Sequence, residues 1–424
     1  MRIKSAVVPL TTAAGLIAAV AVAPGGVFGA TPSHAHLVGW AGGSMVRGLG
    51  HTVTSDLTSQ SSVDTTNTGV RSRNTLATAS VTRLLTVGAI STDASSAAVP
   101  RGVQLTTHAR TANVNLLGGA ITARAVDTVD VAKVVNGKAS STIRTTFVGL
   151  KIAGTTLPAN IPQNFGVRIP GVAQVTLNGA YSAAKDGTIM TTGVGLYVSL
   201  LKARGTNPIG TEIYLNPTYG AIAPTAPVTG ANIGGYAYGS SVYASAGRLL
   251  DAKSGPTAQI SQPMNGTHGM NRYNRTAAVD LAPVATVSAI TSTANGVKSA
   301  GTASYSTMST KLAGINLFNG LIRADALTGS ASVKELPDGS TRASTSTSLV
   351  NLVIAGRSVP ADVSPNTVIR VARLGKVTIR SEARSANQAL VKVLDIVITT
   401  KGYGLPVGAE VQVGVAAAWV ITPH

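Results

Sequence analysis

With no cysteine in the chain, chemistry would have to come from serine, histidine, lysine and the carboxylates. Thiolate metal sites, disulfides and cysteine nucleophiles are excluded. Ser182-Ala183-Ala184-Lys185 fits S-x-x-K, and Lys253-Ser254-Gly255 resembles the K-T-G of penicillin-binding enzymes. Those motifs work on a scaffold where S-x-x-K opens a helix. Here Ser182 sits beside a predicted Lys185-Asp186-Gly187 turn, so both motifs read as loop residues. No G-x-S-x-G elbow occurs. His34 and His36 form an H-x-H pair that straddles a predicted processing point. His51, His108, His268 and His424 stand without another ligand type at metal spacing. Asp127 and Asp130 are three apart, so on a strand they face opposite sides and cannot converge as paired acids. The expectation is a non-enzymatic protein with no catalytic residue, no metal and no cofactor.

The elements that would position any site begin with an export signal. Arg2 and Lys4 precede an apolar run from Ala6 to Val22, then Pro24-Gly25-Gly26, then Ser33-His34-Ala35. This is the order of a secretory signal, expected as a helix within residues 1–35. Cleavage is placed after Ala35; a cut after Ala30 is the alternative and puts Phe28 at an awkward position. An uncleaved anchor is disfavoured because the run is barely long enough and Pro9 interrupts it. The apolar run Val413 to Ile421 is too short to cross a bilayer and reads as a final strand.

The rest of the chain is written twice. Val114-Asn115-Leu116-Leu117-Gly118-Gly119 leads through Asn136-Gly137 to Phe147–Gly154. Ile315-Asn316-Leu317-Phe318-Asn319-Gly320 leads through Pro337-Asp338-Gly339 to Leu349–Gly356. Asn-Gly and Asp-Gly accept positive φ, so each stretch reads as one long hairpin. The match starts at Gly39-Trp40 against Gly235-Tyr236. It continues through Val167-Arg168-Ile169 against Ile369-Arg370-Val371 and closes with Pro208–Ile213 against Pro406–Val411. A repeat of roughly 200 residues is too long for a solenoid unit and means two homologous domains. They are expected at 36–220 and 232–424, joined by a Pro/Ala/Gly linker over 221–231.

Patterning has period two almost throughout. Val148, Leu150 and Ile152 alternate with Phe147, Gly149 and Lys151, and Val350, Leu352 and Ile354 form the matching face. Further strands are expected at Val167–Leu177, Thr188–Leu200 and Glu212–Ala221. The fold class is therefore all-β: two tandem homologous antiparallel β domains, each a sandwich or a partly closed barrel. Solenoid-like sheets stay open as an alternative.

Gly239-Ser240-Ser241-Val242, Lys253–Ala258 and Ile315–Ile322 resemble the actinobacterial surface proteins of the choice-of-anchor P family. The first copy carries the same hairpin, so the resemblance covers nearly the whole mature chain. It implies a secreted or surface protein of unassigned activity. The chain departs from an anchored member: Leu405-Pro406-Val407-Gly408 lacks the threonine of a sortase motif. Release or non-covalent wall association is implied.

Formal charge is +18, from 34 basic and 16 acidic residues, with 4% aromatic and 12% charged residues. The basic residues are scattered, and stacking platforms between them are missing, so no nucleic acid is expected. A diffuse positive field favours anionic partners such as wall polymers. Charges kept in both copies are Lys133 with Lys334, Arg168 with Arg370, Lys202 with Lys401, and Glu212 with Glu410. They read either as a polyanion contact surface or as edge lysines plus an Arg–Glu pair in each domain. The polar loop around Asn265, His268 and Tyr273, which also holds the sequons Asn265-Gly266-Thr267 and Asn274-Arg275-Thr276, is a second candidate contact. The functional expectation is a secreted, envelope-associated structural or adhesive protein. The alternatives are a polysaccharide-acting wall enzyme on a β scaffold and a membrane β-barrel.

Overall fold

A computed structural model describes residues 31–47, 53–81, 84–185, 187–205, 207–224, 231–246, 249–254, 256–263, 265–276, 279–281, 283–299, 303–336 and 338–421. The expected signal helix, His51 and His424 lie outside these residues. The described chain is all-β and antiparallel, and none of its sheets closes into a barrel. No helix among the described residues is long and apolar enough to cross a membrane.

The chain divides into two compact units, one ending at Ala226 and the other beginning at Pro227, with Thr75–Ala77 grouped with the second. The boundary falls inside the expected linker, but that linker starts later than the sequence suggests. Ala221–Pro224 are the end of strand Glu212–Pro224. Ala35 is likewise inside a strand, Thr31–Ala41, and pairs with Pro224.

Each unit is a sandwich of two sheets. In the first unit, one sheet carries Arg71–Leu76, Ile90–Val99, Gly102–Leu116, Ile121–Val135 and Lys138–Val148 in succession. We call it the hairpin sheet. The facing meander sheet runs Phe165–Ile169, Ala173–Lys185, Thr188–Leu200, Glu212–Pro224, Thr31–Ala41 and Ser61–Thr68. In the second unit the hairpin sheet is Arg272–Thr276, Ala285–Val297, Tyr305–Leu317, Ile322–Glu335 and Thr341–Val350. Its meander sheet is Thr367–Val371, Gly375–Arg384, Gln388–Ile398, Glu410–Ile421 and Asn232–Ala246. The core of the second unit lies between its sheets, from Leu312, Leu317, Leu327 and Ile354 to Val377, Leu394, Val411 and Val413. Leu37, Leu105, Ala132, Ile189 and Ile222 do the same in the first.

Backbone conformation repeats as faithfully as strand order. Non-glycine residues with positive φ include Asn113, Leu117, Ala153, Asn164, Asn178 and Asn216 in the first unit. The matching positions Gly314, Phe318, Ala355, Asn366, Arg380 and Gly414 also have positive φ. Left-handed backbone is costly for most side chains. Retaining it at matched positions while the residue type changes shows that the bulges and turns belong to the fold itself.

Three expectations need correction. The segment read as one hairpin is two in sequence, because Leu117–Ala120 and Phe318–Leu321 are themselves turns that reverse the chain. Val167–Leu177 is two strands, broken at Pro170-Gly171 where Gly171 takes φ 66°. The alternating face slips by one residue at Gly149 and Asn351, where φ is 63° and 52°. Phe147 and Leu349 are buried, whereas Val148 and Val350 are 40% and 43% exposed. Leu150, Ile152, Leu352 and Ile354 return to the core beyond the slip. A left-handed residue inserts an extra step, which moves the following side chains to the other face.

Candidate functional site

Two kinds of polar constellation arise from this frame: one inside the first unit, the others on sheet faces. The interior one is centred on Asp130, only 1% exposed. It lies opposite the meander sheet, where Thr191 Oγ1 donates to Asp130 Oδ2 at 2.9 Å and Thr218 Oγ1 lies 3.4 Å away. Asp130 Oδ1 has no partner among the described residues. Burial pushes the carboxyl up to about 7, against the lowering effect of the two threonine hydroxyls. Nearby, Asn216 accepts from Thr111 Oγ1 at 2.5 Å and donates to the carbonyls of Ala109 and Val126 at 3.0 and 2.8 Å. The Thr128 and Thr145 hydroxyls meet at 3.1 Å.

The second unit replaces this seam with apolar or small residues. Strand register matches Thr107, Thr111, Thr128 and Asp130 to Met308, Leu312, Gly329 and Ala331. It matches Thr191, Gly193, Gly195 and Thr218 to Ala389, Val391, Val393 and Ala416. Bulk has moved across the sandwich. A Cβ on Gly195 would lie 2.8 Å from Thr128 Oγ1, and one on Gly329 would lie 2.9 Å from Val393 Cγ2. The seam is thus a feature of one unit, held by groups that largely satisfy one another. No substrate-sized opening is needed to explain it.

The outer faces of the hairpin sheets differ in a complementary way. In the second unit, cross-strand rows can be read from the register. One row is Arg275, Thr291, Lys311, Thr328 and Ser348. The next is Tyr273, Thr293, Ser309, Ser330 and Ser346. A third is Asn295, Thr307, Ser332 and Ser344, and the fourth is Val297, Tyr305, Lys334 and Arg342. These residues are exposed or half-buried, while their strand neighbours Ser292, Ala294, Met308, Thr310, Ala331 and Val333 are buried. The face therefore carries hydroxyls and cations, and no carboxylate stands in these four rows. Tyr273 is 42% exposed, with the Arg275 guanidinium 4.3 Å from its ring centroid.

The same face of the first unit is charged in both signs. Asp93 binds Arg71 and Arg73 at 2.6 and 2.9 Å. Asp127 binds His108 at 3.0 Å, with Arg110 at 4.0 Å. The hydrogen bond to Asp127 raises His108 above 6.5 despite partial burial, and the same bond lowers Asp127. We expect the His108 ring to titrate above 6.5 by NMR, and Asp127→Asn to lower that midpoint; an unchanged midpoint would count against the pairing.

A further pair lies on the second unit's meander sheet. Lys392 Nζ bridges Asp395 Oδ2 at 3.0 Å and Glu410 Oε1 at 2.8 Å, and Gln412 Nε2 donates to Glu410 at 2.6 Å. Burial raises Asp395. It opposes ionisation of Glu410 as well, but hydrogen bonds from its neighbours hold Glu410 down at about 2. Convergent acids do therefore occur, contrary to expectation. A lysine joins them directly.

No family model and no curated protein matches the chain.

The residues singled out in the sequence are dispersed. Lys133 and Lys334 lie on the outer faces of the hairpin sheets, but on interior strands with a partner on each side, not at edges. Arg168 and Arg370 are exposed on the edge strands of the meander sheets. Lys202 and Lys401 are exposed in the loops that follow Thr188–Leu200 and Gln388–Ile398. The expected Arg–Glu pairs do not form: the Tyr197 and Tyr214 hydroxyls donate to Glu212, and Glu410 belongs to Lys392. His268 is exposed and Asn265 half-buried in the loop, whereas Tyr273 is on strand Arg272–Thr276. Asn274 is buried and donates to the Gln259 carbonyl at 2.7 Å, so its sequon is closed in the folded state. Ser182 and Lys185 are on strand Ala173–Lys185, and Lys253-Ser254 on Leu249–Ser254, not in loops. Three residues apart, Ser182 and Lys185 point to opposite sides. His108, expected to stand alone, meets Asp127, and His36 of the H-x-H pair meets Asp64. Among the described residues no group of three or more ligands could hold a metal.

Proposed function

We propose that this chain is a secreted, non-enzymatic protein of the cell envelope that binds anionic wall polymers through its basic surface, in a structural or adhesive role. The observation that carries this reading is the second unit's outer hairpin face, where Lys311, Lys334 and Arg342 stand among hydroxyls with no carboxylate in the same rows. A face whose exposed charges are of one sign attracts polyanions over a Debye length. The net charge of +18 adds a long-range term of the same sign. The resemblance to choice-of-anchor P surface proteins points the same way. The open sheets favour this reading over a membrane barrel, whose strands must close on themselves to satisfy every backbone group in lipid.

The test is co-sedimentation of the protein with isolated envelopes across a salt series. Binding should fall steeply between about 50 mM and about 500 mM salt, where the screening length shrinks several-fold. A Lys311→Ala/Lys334→Ala/Arg342→Ala variant should lose most of it. Arg168→Ala/Arg370→Ala measures the edge cations separately. Binding that ignores salt, or none at any salt, would overturn the reading.

A further inference from the structure

The second unit's face is not uniformly basic, and its layout says what kind of polyanion it would take. Along a strand, residues on one face are two apart, about 6.7 Å. Lys311 and Tyr305 are six residues apart on strand Tyr305–Leu317. The row of Lys311 is therefore about 20 Å from the row of Lys334 and Arg342. Between them lie two full rows of short polar side chains: Thr293, Ser309, Ser330 and Ser346, then Asn295, Thr307, Ser332 and Ser344. Neighbouring strands set these side chains about 4.8 Å apart across the sheet. Tyr273 closes one end of the first hydroxyl row with an exposed ring.

Resting on the function proposed above, we infer that this face is a binding site for a carbohydrate chain bearing carboxylate or phosphate groups at intervals, with the hydroxyl rows meeting sugar hydroxyls and the two cation rows meeting the anions. A polyanion charged at every unit would place most of its charge over hydroxyls, where no cation answers it. A neutral glucan would leave both cation rows unused. A polyhydroxylated chain with spaced anions satisfies both parts. Serine and threonine hydroxyls each donate and accept, as sugar hydroxyls do. The Tyr273 ring offers the apolar body and polar tip that suit a sugar edge. The first unit lacks this arrangement, since Asp93 and Asp127 already hold Arg71, Arg73 and His108 on its matching face.

The experiment is equilibrium binding of the full protein to highly methyl-esterified pectin, with widely spaced carboxylates, to sparsely phosphorylated dextran and to polyphosphate at matched charge concentration, and to unmodified dextran at matched sugar concentration. Binding to either charged sugar polymer at least about tenfold tighter than to polyphosphate is expected, with unmodified dextran weakest. Whichever charged sugar polymer binds better identifies carboxylate or phosphate as the anion. Thr307→Val/Ser332→Ala should cost the sugar polymer severalfold and leave polyphosphate unchanged. Lys311→Ala/Arg342→Ala should weaken both. Equal affinity for polyphosphate and the sugar polymers, with no effect of the hydroxyl variant, would overturn this inference and leave the charged-surface function standing. Failure of every polymer to bind would remove both. Because all four substituted side chains are on the solvent face, unchanged melting temperatures confirm that the fold is intact.

Discussion

Replacing Asp130 with asparagine should make the first unit more stable at pH 8 and remove most of the pH dependence of its unfolding. Asp130 titrates at about 7 in the folded unit against 3.8 for a free carboxyl, because burial disfavours the charge and only hydroxyls answer it. Ile143 and Thr107 flank it on its own sheet, and Thr191, Gly193, Thr218 and Gly220 face it. No cation is among them. A folded-state pKa above the unfolded value means that the group's contribution to stability is fully present below pH 3.8. It is lost as pH rises and is gone above about 7. At about 1.36 kcal/mol per pH unit, the loss is on the order of 4 kcal/mol. Asparagine keeps an acceptor for Thr191 and carries no charge, so the Asp130→Asn variant should show a nearly flat profile over the same range. Each unit carries one tryptophan, Trp40 in the first and Trp419 in the second. Urea unfolding of the Trp419→Phe protein therefore reads the first unit. A wild-type midpoint that does not fall between pH 4 and 8, or a variant that falls equally, would show that Asp130 is not what sets the slope. The second unit, with Ala331 at the matching position, should lack this component.

The duplication and the all-β class were legible because they rest on local signals: apolar alternation, turn residues and a repeat that keeps its register. The polar contacts were not, because they depend on which strands become neighbours. His108 and Asp127 are nineteen residues apart in the chain and meet only through the register of Gly102–Leu116 against Ile121–Val135. Asp395 and Glu410 converge by the same means across Gln388–Ile398 and Glu410–Ile421. The face slip at Gly149 escaped alternation because a glycine fits any face of a strand pattern; only its φ shows the extra step. The opposition of Asp127 and Asp130 was read correctly, and its consequence was within reach. If one of two strand residues faces solvent, the other is buried, so an aspartate had to lie in the core. The hydroxyl rows were hidden for a different reason. Ser and Thr in Thr341–Val350 look like low-complexity filler until four strands set them side by side.

The second large effect is expected at Asn216, the bulge residue that ties the first unit's two sheets together. Asn216→Ala should destabilise that unit by about 3–5 kcal/mol, because three groups lose a buried partner at once and alanine is strained in left-handed backbone. The groups are the Thr111 hydroxyl and the carbonyls of Ala109 and Val126, and φ at Asn216 is 52°. The protein already contains a different solution at this place. In the second unit the bulge residue is Gly414, with φ 68°, and Leu312 stands where Thr111 would be. Asn216→Gly should therefore cost less than Asn216→Ala, since the backbone strain is gone while the polar partners remain orphaned. Adding Thr111→Leu to Asn216→Gly removes one of those orphans and supplies apolar surface, so the double variant should be more stable than the sum of its singles by about 1 kcal/mol or more. The readout is again Trp40 fluorescence in the Trp419→Phe background. Additive singles would mean that the hydroxyl of Thr111 is satisfied by something other than Asn216. An Asn216→Ala protein within about 1 kcal/mol of wild type would mean that the meander sheet is held by its apolar contacts alone. Either result would also weaken the view that polar pinning, rather than apolar packing, is what lets the first unit keep an aspartate in its interior.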